Sequence, residues 1–333
     1  MNKQLGILIL LFYILAAQAH TMAQQTLGSI ERLQPEFDKL VGADAKIEVL
    51  AGGFTWTEGP VWIGDADGHL LFSDIPRNSI FKWEQSGKVS LFMSPAGYTG
   101  VDYYGLEPGS NGLFLDLKGR LVMCEHGDRR ISVLTDGGGK LTLADRYQGK
   151  RLNSPNDGVM KSNGDIYFTD PPYGLPQRFD DPMRELDFCG VYRVTPQGEV
   201  TLLTKSIERP NGIAFSPDEK TLYVAQSNPD QANWTAFSVN GNGTLGDGKE
   251  IANVTQRVKN GEPGLPDGMT VDATGILWAS GPNGIYVMSS DGKLLGRLVT
   301  GQRTSNCTFG PDGYLYMTVD SQLCRLKTTT SGR

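Results

Sequence analysis

The chain has 333 residues, with 31 Lys and Arg against 37 Asp and Glu, a formal net charge of −6. That acidic balance leaves no basic stripe to neutralise phosphates and excludes a nucleic-acid partner. The 42 Gly and 18 Pro sit at turns between short apolar runs, far from a collagen composition, and the length suits a single large all-β domain.

Residues 1–23 differ from the rest of the chain. Lys3 is their only charge, and residues 5–17 read LGILILLFYILAA. This apolar run is too short to span a bilayer, and small residues stand at its end and beyond, at Ala17, Ala19 and Ala23. The pattern is that of a signal peptide, which predicts export to the periplasm or medium, a mature charge of −7 and no stable membrane span after cleavage. Residues 24–45, with ERLQPEFDKL, read as an N-terminal extension packed outside the fold as a short helix or loop.

From residue 46 to 333 one pattern recurs. Its copies are EGPVWIGDADGHLLFSD, SNGLFLDLKGRLVMCEH, PNDGVMKSNGDIYFTDP, RPNGIAFSPDEKTLYVAQ, LPDGMTVDATGILWASG and TSNCTFGPDGYLYMTVD. They begin near residues 58, 111, 156, 211, 267 and 306. Each predicts two strands across a tight turn, followed by a third strand such as SIFKW, RISVL or GVYRV. In most copies a fourth comes next, as in KVSLF, KLTLA and EVTLL. Four antiparallel strands in a repeat of this length make a propeller blade, so the fold class is all-β, a six-bladed β-propeller. The sixth copy stops after three strands, while KIEVLA (46–51) precedes the first copy unpaired. That segment is expected to complete the last blade and close the ring.

First strands of blades line the central channel, so equivalent positions should meet at one mouth. Those positions hold Glu58, Asn111, Asn156-Asp157, Asn211, Asp267 and Asn306, all carboxylates or carboxamides. Oxygen donors of mixed charge suit one divalent hard cation: Ca2+ first, then Mg2+ or Mn2+. With no His or Cys in the ring, Zn2+ ranks last. Pro60, Pro155, Pro210 and Pro266 flank the ring and stiffen the backbone there. Four cysteines and no C-x-x-C argue against an iron–sulfur or zinc cluster; Cys307 and Cys324 could pair or remain buried thiols.

EGPVW, LNSPNDGV, RPNGIAFSPD and LPDGMTVD, in this order over residues 50–325, resemble the gluconolactonase, senescence-marker-protein and regucalcin-like lactonase family. CEHGDRRI and YFTDPPYG bring the chain nearest to its bacterial gluconolactonase branch. The resemblance implies a six-bladed propeller with one catalytic divalent metal, held by Glu58, Asn211 and Asp267, with Asn156 binding metal or substrate. It implies hydrolysis of a small-molecule lactone, the metal acting as Lewis acid. Vertebrate members carry an Arg two residues before the Asn of the ND motif; here Ser154 stands there, so substrate contacts differ.

Two residues are candidate general bases: Asp267, by resemblance, and His126, at the end of the second strand of blade two. Asn111, Glu125, Arg129, Asp170, Tyr173 and Asn156 are candidate substrate contacts, and the insertions 95–108 and 174–189 are candidate lids. Two other functions compete. One is a binding module with a structural calcium and no turnover. The other is an aryl-ester or organophosphate hydrolase, which an unusually apolar pocket would favour.

Overall fold

A polar four-residue turn closes the first hairpin of every repeat. In each, a main-chain N–H bonds the carbonyl three residues back: Gly68 to Asp65, Gly119 to Asp116, Gly164 to Lys161, Glu219 to Ser216, Gly275 to Asp272 and Gly313 to Gly310. Glu219 sits at φ +58°, in the left-handed region that Gly119, Gly164, Gly275 and Gly313 occupy in the other copies. Six hairpins closed by the same main-chain bond, five of them with the same left-handed residue, give six sheets of like shape.

The computed structural model describes residues 25–332, so the expected signal peptide lies outside the described residues. Blade one comprises Thr57–Ile63, His69–Asp74, Ser79–Glu84 and Val89–Met93. Blade two comprises Ser110–Leu115, Leu121–Glu125, Arg130–Leu134 and Lys140–Ala144. Blade three runs through Gly158–Met160, Ile166–Asp170, Gly190–Val194 and Val200–Thr204. Blade four runs through Pro210–Phe215, Thr221–Gln226, Asn233–Val239 and Leu245–Asn253. Blade five has Met269–Val271, Leu277–Gly281, Gly284–Met288 and Leu294–Val299, and blade six Thr304–Phe309, Tyr314–Val319 and Gln322–Lys327.

The ring closes as expected. Ile47–Gly52 pairs antiparallel with Gln322–Lys327 and supplies the fourth strand of blade six. The extension before it does more than cover the outside. Ser29–Arg32 adds a fifth strand to blade five, and Thr26–Leu27 pairs with Ile47–Glu48 at the edge of blade six. After these two strands a single 3-10 turn, Pro35–Lys39, drives Phe37 into the core shared by blades five and six, where it is fully buried with Trp278, Leu298 and Leu326.

Hydroxyl groups fasten four of the six seams between blades at the channel. Ser73 Oγ of blade one donates to Asn111 O of blade two (2.9 Å), Thr169 Oγ1 of blade three to Asn211 O of blade four (2.7 Å), and Ser280 Oγ of blade five to Ser305 O of blade six (2.8 Å). Ser305 Oγ then donates to Thr57 O, which joins blade six to blade one (2.7 Å). Apolar clusters fill the wedges between sheets. All four cysteines are buried free thiols, so Cys307 and Cys324 form no disulfide; the Cys307 thiol donates to Trp278 O instead. Among the described residues no helix is long and apolar enough to cross a membrane.

Candidate active site and metal centre

Each inner strand begins where the ring is narrowest. There a side chain is followed by Gly in five of the six blades, and close approach is the reason. A Cβ on Gly59 would lie 2.1 Å from Asn111 O, and one on Gly212 would lie 2.1 Å from Asp267 O. The strands also bulge at this point in blades one, two, four and six. A bulge re-aims the side chain beside it, but the division of the polar ring between two cavities of the channel does not follow the bulged blades.

Glu58, Asn111, Asn156, Asn211 and Asp267 open into one cavity of about 630 Å³. Asp157 and Asn306 line a second cavity of about 370 Å³ at the other end, walled by the inner strands. The expectation that all six positions meet at one mouth is thus corrected. In blade three, of the Asn156-Asp157 pair, it is Asn156 that faces the larger cavity.

The floor of that cavity combines deep burial with negative charge. Glu58 is 2% exposed, Asn156 3%, Asn111 4% and Asn211 5%, while Asp267 keeps an accessible edge. Burial, and then the neighbouring Asp157 carboxylate, push Glu58 up to about 8. Burial and the charges of Glu58, Asp157 and Glu107 hold Asp267 well above the usual carboxylate range. Carboxylates that raise one another in a dry cavity are stabilised by a cation. Glu58 Oε2 accepts from Gly59 N (3.0 Å), and Asn211 Nδ2 donates to Ser227 Oγ (3.0 Å), which leaves the Asn211 carbonyl end as a free acceptor. Among the described residues no group of three His, Cys, Asp or Glu side chains is gathered closely enough to hold a metal alone. The donor set that fits an ion is therefore the mixed one: the Glu58 and Asp267 carboxylates with the Asn156 and Asn211 carboxamides, oxygen ligands suited to a hard cation.

Of the remaining candidates, Tyr173 lines the cavity and packs edge-on against Phe179. His126 does not line it. Its ring is fully buried, its Nε2 lies 3.4 Å from Asn111 Nδ2, and Nδ1 has Glu107 Oε2 at 3.8 Å. A Cβ on Gly174 would strike the imidazole at 2.5–2.9 Å, so the 171–174 loop pins the ring from behind. Burial drives His126 down to about 4 and keeps it neutral.

Glu125, Arg129 and Asp170 do not reach the cavity either. Glu125 is buried beneath Arg130 (2.8 Å), Lys140 (3.0 Å) and Ser132. Asp170 accepts from Asn153 N (2.8 Å), as Asp74 accepts from Thr55 N and Trp56 N in blade one: the acid ending the second strand caps the segment that enters its own blade. Arg129 donates to Leu152 O, Asn153 O and Met183 O and so ties the 174–189 insertion to blade three. Ser154 is buried, donates to Pro171 O (2.6 Å) and accepts from Gly174 N (2.9 Å). The position held by Arg in vertebrate members here shapes a loop.

The rim comes from residues outside the repeat column. Glu107 and Arg178, one from each insertion, form an ion pair at 3.2 Å. Trp56 and Arg303 face the cavity from blades one and six, the guanidinium 4.6 Å from the ring centroid. The two insertions signal that such residues exist, but nothing in their local sequence singles out these members.

The family model for the SMP-30/Gluconolactonase/LRE-like region matches residues 56–321. A gluconolactonase of Zymomonas mobilis is 37% identical over 323 residues, covering 95% of this chain and 90% of its own. A pentonolactonase of Haloferax volcanii is 26% identical, covering 78% of this chain and 80% of its own. The solved structure of a gluconolactonase from Xanthomonas campestris superposes with a TM-score of 0.78 at 35% identity, covering 91% of this chain and 97% of that one.

Proposed function

Because this chain belongs to the SMP-30/gluconolactonase/LRE-like family, we propose that it is a metal-dependent lactonase that opens sugar lactones to aldonic acids. The observation that carries this reading is the cavity floor, where two carboxylates with raised pKa, Glu58 buried and Asp267 open at one edge, meet three buried carboxamides. Glu58, Asn211 and Asp267 would hold one divalent ion, Ca2+ first, with Asn156 beside it as ligand or substrate contact. When bound, such an ion supplies Lewis-acid polarisation of a carbonyl and charge to offset an oxyanion.

The chain's own residues do the rest. Asn111 and Asn156 offer hydrogen-bond groups to the oxygens of a lactone ring. Of the two candidate bases, Asp267 has an edge open to the cavity and accepts the proton of the attacking water. His126 contacts no substrate; it sits behind Asn111 and fixes the orientation of that carboxamide. The Glu107–Arg178 pair ties the two insertions together over the mouth. The apolar run at residues 5–17 supports the further proposal that the protein is exported, to the periplasm or medium, with its first 23 residues removed.

The test is a pH-stat assay on δ- and γ-aldonolactones with chelator-stripped and Ca2+-restored protein, beside Asp267→Ala and Asn211→Ala. Restored protein should hydrolyse at least one aldonolactone. Each variant should lose Ca2+ binding by calorimetry and, on the order of 10²–10³-fold, activity. Full activity in both variants would remove the proposed site, and no turnover of any aldonolactone by restored protein would refute the assignment.

A further inference from the structure

The cavity has two halves of different chemistry. The floor is the carboxylate and carboxamide cluster. The outer wall is built from Trp56, Pro76, Leu106, Pro229, Val258 and Leu265. Polar side chains interrupt this wall, and three of them are each engaged through one atom. Arg178 pairs with Glu107 at 3.2 Å; Arg303 pairs with Asp320 at 2.6 Å and lies over Trp56; Ser227 Oγ donates to Pro266 O. The apolar surface continues past the mouth along the first insertion, where Leu106 is 71% and Tyr103 83% exposed. The volume, about 630 Å³, lies within the roughly 300–1,000 Å³ usual for pockets holding drug-sized ligands.

A lactone ring satisfies the floor, but its exocyclic substituent must lie along the wall. The hydroxyls of a sugar lactone can stay at the polar floor and the guanidinium groups of the rim, but along the apolar stretch of the wall a hydroxyl would lose water without a partner, which is costly. An alkyl or aryl arm gains by about fourfold in binding for each methylene it buries. Resting on the lactonase reading above, we propose that the outer half of the cavity is a subsite for an apolar arm, and that the protein hydrolyses δ-lactones bearing an alkyl or aryl substituent in preference to unsubstituted ones. The chemistry is unchanged. Water adds to the lactone carbonyl carbon, the ring C–O bond breaks, and the proton from water ends on the released oxygen, giving a hydroxy acid with the arm attached.

The experiment compares kcat/KM of the Ca2+-loaded protein on δ-valerolactone and on δ-decalactone, which differ by a pentyl arm. It repeats the comparison with Leu265→Ser and Leu106→Ser. The wild type should favour δ-decalactone by about tenfold or more, and each variant should pull that ratio toward one. Equal values in the wild type, or a ratio that survives both substitutions, would overturn the proposal. Failure of the lactonase reading is read separately, by calorimetric titration with the non-hydrolysable δ-lactam that carries the same pentyl arm. Binding of this lactam that weakens about tenfold in both variants supports the subsite even if no lactone is turned over. A lactam that does not bind, or binds the variants as tightly as the wild type, eliminates it.

Discussion

His126 sits behind Asn111 with its ring wholly buried and its pKa driven down to about 4, so one ring nitrogen remains an acceptor at neutral pH. Its effect passes through the Asn111 carboxamide. His126→Gln is expected to lower kcat by roughly tenfold, as loss of a supporting contact typically does, while calorimetry shows Ca2+ affinity unchanged; an unaltered kcat would show that Asn111 needs no imidazole. Asp170 offers a pH test. Burial raises its carboxyl to about 7, and Oδ1 has no hydrogen-bond partner. Between about pH 4 and 7 the folded state holds a proton there that the unfolded state has released, so this group's contribution to stability falls as pH rises through that window. Asp170→Asn keeps a carbonyl for Asn153 N–H and removes the titration. Thermal midpoints of wild type and variant should therefore diverge from pH 4 to 7, the wild type losing ground; parallel curves would contradict the shift. Glu58, Asn211 and Asp267 could be nominated from sequence because carboxylates and carboxamides recur at equivalent repeat positions and the family motifs EGPVW, RPNG and PDG single out these three. Glu125, Arg129 and Asp170 could not. Being charged beside a strand end does not say which way the side chain turns, and these three turn into the blade.

The inner strand is the element that sets the site, and its glycines measure how tightly it is packed. Because a Cβ on Gly212 would lie 2.1 Å from the Asp267 carbonyl, Gly212→Ala must push blade five away from blade four. Destabilisation of about 1–3 kcal/mol is expected, read as a lower urea midpoint, together with weaker Ca2+ binding because Asp267 moves. A variant with native midpoint and native Ca2+ affinity would show that the inner strands have slack. Blade order and strand number were legible because turn residues and alternating apolar positions repeat at a fixed spacing. The bulges were not, since a bulge leaves composition unchanged while altering where a side chain points. Nor could the sequence tell which member of the Asn156-Asp157 pair faces which cavity: without a bulge in blade three, Asp157 faces the far cavity and Asn156 the near one.

At the level of the whole molecule, the extension before the first blade stitches the ring. Phe37 fills the seam between blades five and six, and the Gly296 backbone passes so close that a Cβ there would be 2.5 Å from the phenyl ring. Phe37→Ala should cost about 3–5 kcal/mol, seen as a drop in the denaturation midpoint without loss of Ca2+ affinity in the folded protein; a midpoint within error of wild type would make the extension dispensable. Its strands escaped prediction because two to four residues are too few to show an alternation. Ring closure itself governs how the fold can be reached. Glu48 and Arg325 meet at 2.7 Å although they are 277 residues apart in the chain, so the last seam cannot form until nearly all of the polypeptide is available. Contacts of such long range slow folding. Until that seam forms, an early-folded portion is an open arc with the third strand of blade six unpaired along one edge, and a chain cut short at either end would stay one.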